Sequence, residues 1–248
     1  MAFKEYNKKR VFSKTPEPTA GRSASRKLQF VVQEHDASRL HYDFRLEMDG
    51  VLKSWAIPKG PSLNPQDKRL AMRVEDHPFD YKDFEGIIPE GNYGAGGVII
   101  WDQGMYEPLE KKGSKKEQEK ELLKELKSGS LKFRLSGKKL KGEFALVHIK
   151  NNRQKGDNAW LLIKHKDEFA SEADITKKGK SVHSGKTISQ IGKDKNAKEW
   201  ISDKPKSSGK KTGKPDNSND PKTSSDEIRQ LLNKGKKAAV PKKVKPML

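Results

Sequence analysis

Four residues with potential chemistry lie close together in the segment HDASRLHYDFRLEMDG at 35–50. His35, His41 and Asp43 offer two imidazoles and a carboxylate, a combination that suits Mn²⁺, Fe²⁺ or Zn²⁺. Arg45 follows two residues after Asp43, and its planar guanidinium can bind a phosphate through two parallel hydrogen bonds. The residue types and their spacing indicate a metal site with a phosphate-binding group beside it.

An alternating pattern places three of these side chains on one face of a strand. From residue 40 to 46, apolar and polar side chains alternate as they do in a half-buried strand. His41, Asp43 and Arg45 are predicted to point outward, and the apolar face is predicted to point into a core. Because the HxDxR spacing is short, an exposed polar strand face that holds an ion pair is the other interpretation.

Two further segments carry groups that could complete such a site. RVEDHPFDY, at 73–81, places His77 before a proline, which favours extended backbone, and places Tyr81 four residues later. IPEGNYGAGGVIIWDQG, at 88–104, contains glycines whose backbone amides could approach an anion. It lacks the GKS or GKT sequence of a P-loop. A loop histidine without a role and a tight turn before a core strand are the alternative interpretations.

The composition limits the class of protein. Of 248 residues, 31% are hydrophobic and 35% are charged, so the chain is not expected to pack along its whole length. It has no cysteine, which excludes a disulfide framework and thiolate metal ligands. No segment approaches the roughly 18 consecutive apolar residues of a membrane-spanning helix. The N-terminus lacks the apolar segment of a secretory signal.

Basic residues outnumber acidic residues, and the formal net charge is +19. Residues 171–248 carry 20 Lys and Arg against 9 Asp and Glu, so they contribute +11 of that total. Such an excess favours a polyanionic partner, either nucleic acid or an anionic membrane. The sequence shows no amphipathic helix with a bulky apolar face, which an anionic membrane partner would favour. Nucleic acid is therefore the predicted partner.

Short apolar or alternating segments predict a mainly β fold. They cover residues 28–33, 40–48, 51–57, 69–74, 97–102, 130–135, 144–149 and 159–164. MDG, between the second and third segments, is a hairpin signal. Many short strands separated by turn residues predict a closed or nearly closed antiparallel β-barrel of about eight strands. One short surface helix is predicted over 114–129, between a serine cap and a glycine stop.

The predicted organisation has three parts. They are an extended N-terminal arm at 1–26, a barrel domain at 27–170, and a basic low-complexity tail or interdomain linker at 171–248. The stretch SSGKKTGKPDNSNDPKTSSD, at 207–226, cannot bury enough apolar surface to offset its chain entropy, so the tail is predicted to be disordered. SSDEIRQLLNKGKKAA is predicted to form a short capped helix within it.

Together and in this order, these segments resemble the 3′-phosphoesterase domain of bacterial non-homologous end-joining DNA ligase D and its stand-alone relatives. The resemblance runs from about Tyr6 to Ala170. It is carried by KRVFSKTPEP, FVVQEHDASRLHYDFRLEMDGVLKSWAIPKGPS, EDHPFDYKDFEGIIPEGNYGAGGVIIWDQG and WLLIKHKDEFA. It implies an antiparallel β-barrel whose polar active site lies on the outer surface. It also implies a Mn²⁺-dependent hydrolase, with other divalent metals possible, that removes 3′-phosphates and 3′-terminal ribonucleosides to leave a 3′-OH.

The resemblance also implies roles for individual residues. Metal binding would fall to His35, His41 and Asp43, phosphate binding to Arg45, His77 and Tyr81, and support of the site to Gln33, with Arg10 and Glu17 contributing from the N-terminal arm. The family commonly has aspartate after Arg10, where this chain has Val11.

The implied partners are DNA or RNA-containing 3′ ends at primer-templates or breaks. Further implied partners are ligase and polymerase modules and a Ku-type end-binding protein. No membrane partner is implied. The implied location is the bacterial cytoplasm, at the nucleoid. No KxDG motif, which a ligase nucleophile needs, occurs in the chain. The final KVKPML resembles the junction that precedes a ligase domain in fused proteins. An excised module and a stand-alone protein with a basic tail both stay open.

Two other functions remain open from the sequence. A non-catalytic nucleic-acid-binding barrel fits the charge and the strands, although binding grooves usually expose aromatic residues rather than two imidazoles and a carboxylate. A non-haem iron oxygenase would use the HYD sequence with His148 as a second histidine ligand. That assignment leaves His35 and His77 without a task. Metal-dependent release of phosphate from a 3′-phosphorylated oligonucleotide separates the three functions.

Overall fold

The computed structural model describes residues 4–10, 12–13, 15, 17–19, 23–110, 113–150 and 158–193. Its strands are β1 (Leu28–Asp36), β2 (Leu40–Met48), β3 (Val51–Ile57), β4 (Lys68–Arg73), β5 (His77–Pro78), β6 (Gly86–Ile88), β7 (Gly96–Pro108), β8 (Ser130–Gly137), β9 (Lys141–His148) and β10 (Ala159–Lys164). Its α-helices are α1 (Lys4–Lys8), α2 (Lys115–Ser128) and α3 (Ile188–Lys193). Among these residues, no helix has the length and apolar character needed to cross a bilayer.

Eight antiparallel strands close into a barrel, as the sequence predicts. Their order is β1-β2-β3-β4-β10-β9-β8-β7, and β7 pairs with β1 to complete the circle. Each of the eight predicted segments corresponds to one barrel strand. The short strands β5 and β6 are not predicted from the sequence; they pair with the barrel strands β3 and β7.

The alternation at 40–46 separates the barrel core from the outside. Tyr42, Phe44 and Leu46 lie in the core, and the ring of Phe44 stacks against Phe133 with 5.8 Å between centroids. Leu40 shares their parity but is 47% exposed, because it begins the strand at the edge of the core. The predicted hairpin follows this strand, with Asp49 and Gly50 at φ 55° and 71°. This pair of left-handed residues matches a type I′ turn.

Helix α2 has the termini predicted for it and lies on the surface of the barrel with one side packed against the core. Ser114 and Glu117 form a capping box, and Gly129 ends the helix at φ 86° in the left-handed region. Leu122 and Leu126 are buried in the barrel core cluster. A pair of leucines one turn apart is thus enough to anchor an otherwise charged helix over the core.

A second apolar cluster covers part of the outer face of the barrel. It consists of Tyr6, Leu52, Phe79, Tyr81, Phe84, Ile88 and Val98, which come from the N-terminal arm, the outward positions of β3 and β7, and the chain around β5 and β6. The 3-10 helix Phe79–Asp83 supplies two of these rings. Because this cluster lies on the outer face, the polar residues beside it are enclosed rather than open to solvent.

The packed structure continues beyond residue 170, where the tail is predicted to begin. Ile175 and Ile191 are each 5% exposed, and the Ser181 hydroxyl donates to Glu85 at 2.5 Å. Isolated isoleucines in a polar segment give no periodic signal, so the sequence does not reveal that this stretch packs. The remainder of the predicted tail, 194–248 with its second helix, lies outside the described residues, as does Val11.

Candidate active site

Three potential metal ligands converge on the outer face of β1 and β2. The register of this strand pair sets His35 opposite His41, and Asp43 lies two residues further along β2 on the same face. Asp43 Oδ2 is 3.6 Å from His35 Nδ1, and Asp43 Oδ1 is 3.7 Å from His41 Nε2. One ligand atom from each residue lies within 4.8 Å of the others. These separations allow one cation to contact all three.

Backbone carbonyls fix which nitrogen of each imidazole is available. His35 Nε2 lies 2.8 Å from the carbonyl oxygen of Gly94, and His41 Nδ1 lies 2.9 Å from that of Arg39. A carbonyl oxygen can only accept, so each of these nitrogens carries the hydrogen in the neutral ring. The other nitrogen of each ring keeps its lone pair towards Asp43. An outer hydrogen bond of this kind commonly orients metal-binding histidines, so the residues fit a divalent cation.

The carboxylate of Asp43 is held ionised inside the protein. Burial by itself raises the pKa of Asp43, but the charge of the adjacent Arg45 guanidinium is the largest influence that lowers it, and the net shift is downward. The pKa of Asp43 therefore lies well below its usual range. An anionic oxygen is available to a metal at any pH near neutrality.

Arg45 is 2% exposed and is fixed by three hydrogen bonds. Its Nε donates to Gln33 Oε1 at 2.8 Å, its Nη1 to Ser54 Oγ at 2.9 Å, and its Nη2 to Asp43 Oδ2 at 3.0 Å. The guanidinium also lies 4.8 Å from the centroid of the Tyr81 ring. A guanidinium has five N–H donors, and these three bonds use three of them.

Gln33 joins the barrel wall to the segment that covers it. Its Nε2 donates to the carbonyl oxygens of Tyr81 at 3.0 Å and Phe84 at 2.9 Å, while its Oε1 accepts from Arg45. The side chain is completely buried. Gln33 thus positions Arg45 and Tyr81 relative to each other and does not face the cavity.

His77 lines the same cavity as the metal ligands and is held in its neutral form. Its Nδ1–H donates to the carbonyl of Glu75 at 2.9 Å, so its Nε2 accepts, and Arg10 Nη2 lies 3.3 Å from that nitrogen. Burial lowers the pKa of His77 well below its usual range, and the cations Arg45 and Arg10 lower it further. A neutral ring is therefore the stable form at pH 7.

The N-terminal arm reaches the site through Glu17. One oxygen of this carboxylate, Oε1, accepts from Arg10 Nε at 2.7 Å and from the Tyr81 hydroxyl at 3.0 Å. Its other oxygen accepts from Thr15 at 2.8 Å. Glu17 is 4% exposed, so it acts from behind the cavity wall.

A cavity of about 280 Å³ joins these groups. Of the nine predicted site residues, seven line it: His35, His41, Asp43, Arg45, His77, Tyr81 and Arg10. Gln33 and Glu17 lie behind its wall. The metal ligands and the guanidinium groups of Arg45 and Arg10 line the same cavity, an arrangement that suits an oxyanion bound beside a cation.

Eight residues that line the cavity were not predicted as site residues, and Glu75, Tyr93 and Gly94 are among them. Gly94 has φ 75°, which suits glycine, and presents its carbonyl to His35. The sequence predicts that the glycine-rich segment around it either binds an anion through its amides or forms a tight turn. Its observed contact with His35 uses a carbonyl rather than an amide.

The other histidines lie away from this cavity. His148 packs against Trp160 with 5.0 Å between ring centroids, and His165 Nδ1 is 3.6 Å from Glu143. The iron-oxygenase interpretation requires His148 beside the HYD sequence, and the structure contradicts that pairing. His35 occupies the place beside His41 and Asp43 instead.

Comparison with known proteins agrees with the geometry. Residues 33–148 match the family described as DNA Ligase D 3′-phosphoesterase domain. The chain is 50% identical over 173 residues to the "Multifunctional non-homologous end joining protein LigD" of Pseudomonas aeruginosa, covering 68% of this chain and 19% of that protein. It is 42% identical over 174 residues to the corresponding LigD DNA repair protein of Mycobacterium tuberculosis, covering 68% and 21%. The chain thus spans about one fifth of the curated relatives it matches.

Proposed function

Residues 33–148 belong to the DNA Ligase D 3′-phosphoesterase domain family, and from this membership we propose that the chain is a metal-dependent phosphoesterase acting on DNA 3′ ends. Its reaction is hydrolysis of a 3′-phosphate, and of the phosphodiester that carries a terminal ribonucleoside. Release of the ribonucleoside leaves its phosphate on the strand, and hydrolysis of that 3′-phosphate then leaves a 3′-OH for repair or ligation.

One observation carries the proposal: the three ligand atoms of His35, His41 and Asp43 and the guanidinium of Arg45 line one cavity. A divalent metal held there supplies Lewis-acid polarisation of a phosphoryl oxygen. Two nitrogens and one carboxylate oxygen suit Mn²⁺, and the same ligand set also suits some other divalent metals. The carbonyl contacts that orient both imidazoles support this assignment.

The other residues of the cavity would bind and orient the phosphate. Arg45 stays protonated and is held rigidly, so it is suited to stabilise charge that develops on the phosphoryl oxygens. Arg10 brings a second guanidinium, whose position depends on Glu17 and on the Nε2 lone pair of His77. His77 would accept a hydrogen bond from Arg10 or from a protonated phosphate oxygen. Tyr81 would complete this side of the cavity.

The finer assignments follow the names of the relatives. Non-homologous end joining is the printed role of those proteins, and we propose it for this chain, at primer-templates or breaks on the bacterial nucleoid. Ligase and polymerase modules and a Ku-type protein are the proposed partners. The proposed organisation keeps an arm at 1–26 that contributes to the site, a barrel, and a basic C-terminal region that serves as a tail or linker.

A phosphate-release assay tests this function. The substrate is a 3′-phosphorylated DNA strand annealed to a longer template, with Mn²⁺ or with EDTA, and the matched control is the same strand with its phosphate at the 5′ end. We expect release from the 3′ end in Mn²⁺ only. A protein that binds the strand but releases no phosphate with any divalent metal would be the non-catalytic barrel instead.

A further inference from the structure

A second, larger groove of about 690 Å³ lies beside the metal cavity. One wall comes from α1 and the end of β4, with Lys9 and Arg73. The other wall comes from the end of α2, the turn after β9 and the start of β10, with Lys127, Lys150 and Trp160. None of the predicted site residues lines this groove, so its chemistry is separate from that of the metal cavity.

The groove and the metal cavity share a border. Val74, Glu75 and Tyr93 line both of them. A strand whose end occupies the metal cavity can therefore leave it across these residues and enter the groove.

The walls of the groove carry more positive than negative charge. Lys9, Arg73, Lys127 and Lys150 face two carboxylates, Glu5 and Glu75. Glu75 is already paired, with Lys9 at 3.0 Å and Arg10 at 3.2 Å. Within the described part of the chain, no carboxylate lies within salt-bridge distance of Arg73, Lys127 or Lys150. These three cations are available to an anionic ligand.

Tyr93 gives the border between the two cavities an exposed aromatic surface. Tyr93 is 52% exposed, the highest value among the large hydrophobic residues of the described chain. Lys9 Nζ lies 4.9 Å from its ring centroid, and the Arg10 guanidinium lies 5.7 Å away. An exposed ring beside cations is the combination that binds single-stranded nucleic acid by base stacking and phosphate contacts.

We propose that this groove binds the upstream nucleotides of the strand whose 3′ end occupies the metal cavity. Phosphates of that strand contact Arg73, Lys127 and Lys150, and a base near the end stacks on Tyr93. The proposal rests on the phosphoesterase function and adds the path of its substrate. It predicts that the affinity of the enzyme depends on the number of nucleotides on the 5′ side of the reacting end.

The first experiment measures binding alone, so it does not depend on turnover. A fluorescent single strand with a 3′-OH is titrated against the wild type, Lys127→Ala/Lys150→Ala, and the control Lys120→Ala/Lys124→Ala. The control removes the same charge from exposed positions on α2 that lie outside the groove. We expect the groove pair to lower affinity about tenfold and to reduce the slope of log affinity against log salt by about 0.7 per lost contact, with little change in the control.

The second experiment uses turnover and strand length. For a long 3′-phosphorylated strand, the groove pair should raise KM and leave kcat unchanged, while a 3′-phosphorylated dinucleotide should be hydrolysed as by the wild type. Tyr93→Ala should weaken binding of the long strand by roughly tenfold, the scale of one base stack, and Tyr93→Phe should restore it. Equal affinities and equal salt slopes for the groove and control pairs would contradict the proposal that the groove binds the upstream nucleotides. Absence of phosphate release by the wild type would instead overturn the phosphoesterase function.

Discussion

Arg45 Nη2 lies 3.0 Å from Asp43 Oδ2, and the two side chains form a buried ion pair at the centre of the cavity. Asp43 turns the same carboxylate towards His35 and His41. The pair therefore connects the metal ligands with the guanidinium proposed to hold the phosphate. Removal of either charge is expected to leave the other buried without its partner.

Breaking this pair should be costly for folding. Asp43→Ala leaves the Arg45 charge buried without its partner, so we expect a loss of about 3–5 kcal/mol of unfolding free energy. Arg45→Met should lose a similar amount, and the double variant should lose less than the sum, by on the order of 1–3 kcal/mol. Urea denaturation in EDTA, which removes any metal contribution, measures all three.

The matched control is the pair Arg134 and Glu143, 2.7 Å apart but with side chains 49% and 30% exposed. Its coupling should be below about 1 kcal/mol, because water screens an exposed pair. Full additivity at Asp43 and Arg45 would show that the two charges do not depend on each other.

A second prediction separates the charge of Arg45 from its shape. Arg45→Lys keeps the positive charge but loses the fork that contacts Gln33, Ser54 and Asp43. We expect Mn²⁺ binding to persist and the rate of phosphate release to fall by on the order of 10²–10³. In this division of roles the side chain at position 45 acts on the phosphate and does not ligate the metal. A loss of Mn²⁺ affinity that matches the loss of rate would contradict it.

The alternation of β2 gives a third prediction, which concerns the core. Phe44 is fully buried and packs between Phe30 and Phe133, so Phe44→Ala should cost about 3–5 kcal/mol of unfolding free energy. Leu40 has the same parity on the same strand but is 47% exposed. Leu40→Ala should change stability by less than about 0.5 kcal/mol. Thermal and urea melts of both variants test the assignment of the two faces.

Much of the barrel is visible in the sequence because its strands carry local signals. The period-two pattern at 40–46 predicts β2, and the MDG turn predicts the hairpin to β3. The serine and glycine that flank α2 predict its termini. Each of these features is fixed by residues within one turn or one strand, which is the range over which sequence patterns act.

The enclosure of the site depends on contacts between distant parts of the chain. The outward residues Asp43 and Arg45 are 8% and 2% exposed, because Tyr6 and the chain around Phe79 cover that face. Nothing in the alternation of β2 indicates such a cover. Glu75 was missed for a similar reason, since its position is set by pairing with the arm residue Arg10.

The pKa of His77 gives a prediction for acid stability. Because its pKa in the folded protein lies well below the usual value, the unfolded chain binds a proton there at a higher pH than the folded chain does. Stability from this group is complete above about pH 6.5 and is lost as the pH falls below it. When the pH falls from about 7.5 to 5.5, we expect the unfolding free energy of His77→Gln to decrease by about 1 kcal/mol less than that of the wild type.

The control for this experiment is His183→Gln, at an exposed position outside the cavity. The difference between each variant and the wild type removes the contributions of the other histidines. If both variants follow the wild-type dependence of unfolding free energy on pH, His77 is not held neutral by its surroundings.

The most direct measurement is the electron paramagnetic resonance titration of Mn²⁺ into the wild type and His41→Ala. His41 is the least buried of the three ligands, with 23% of its side chain exposed, so its removal disturbs the fold least. His148→Ala, which removes an imidazole outside the cavity, is the control. We predict one tight Mn²⁺ site in the wild type and in His148→Ala, and its loss in His41→Ala together with phosphate release. A tight site of unchanged affinity in His41→Ala would contradict the assignment of the metal to His35, His41 and Asp43.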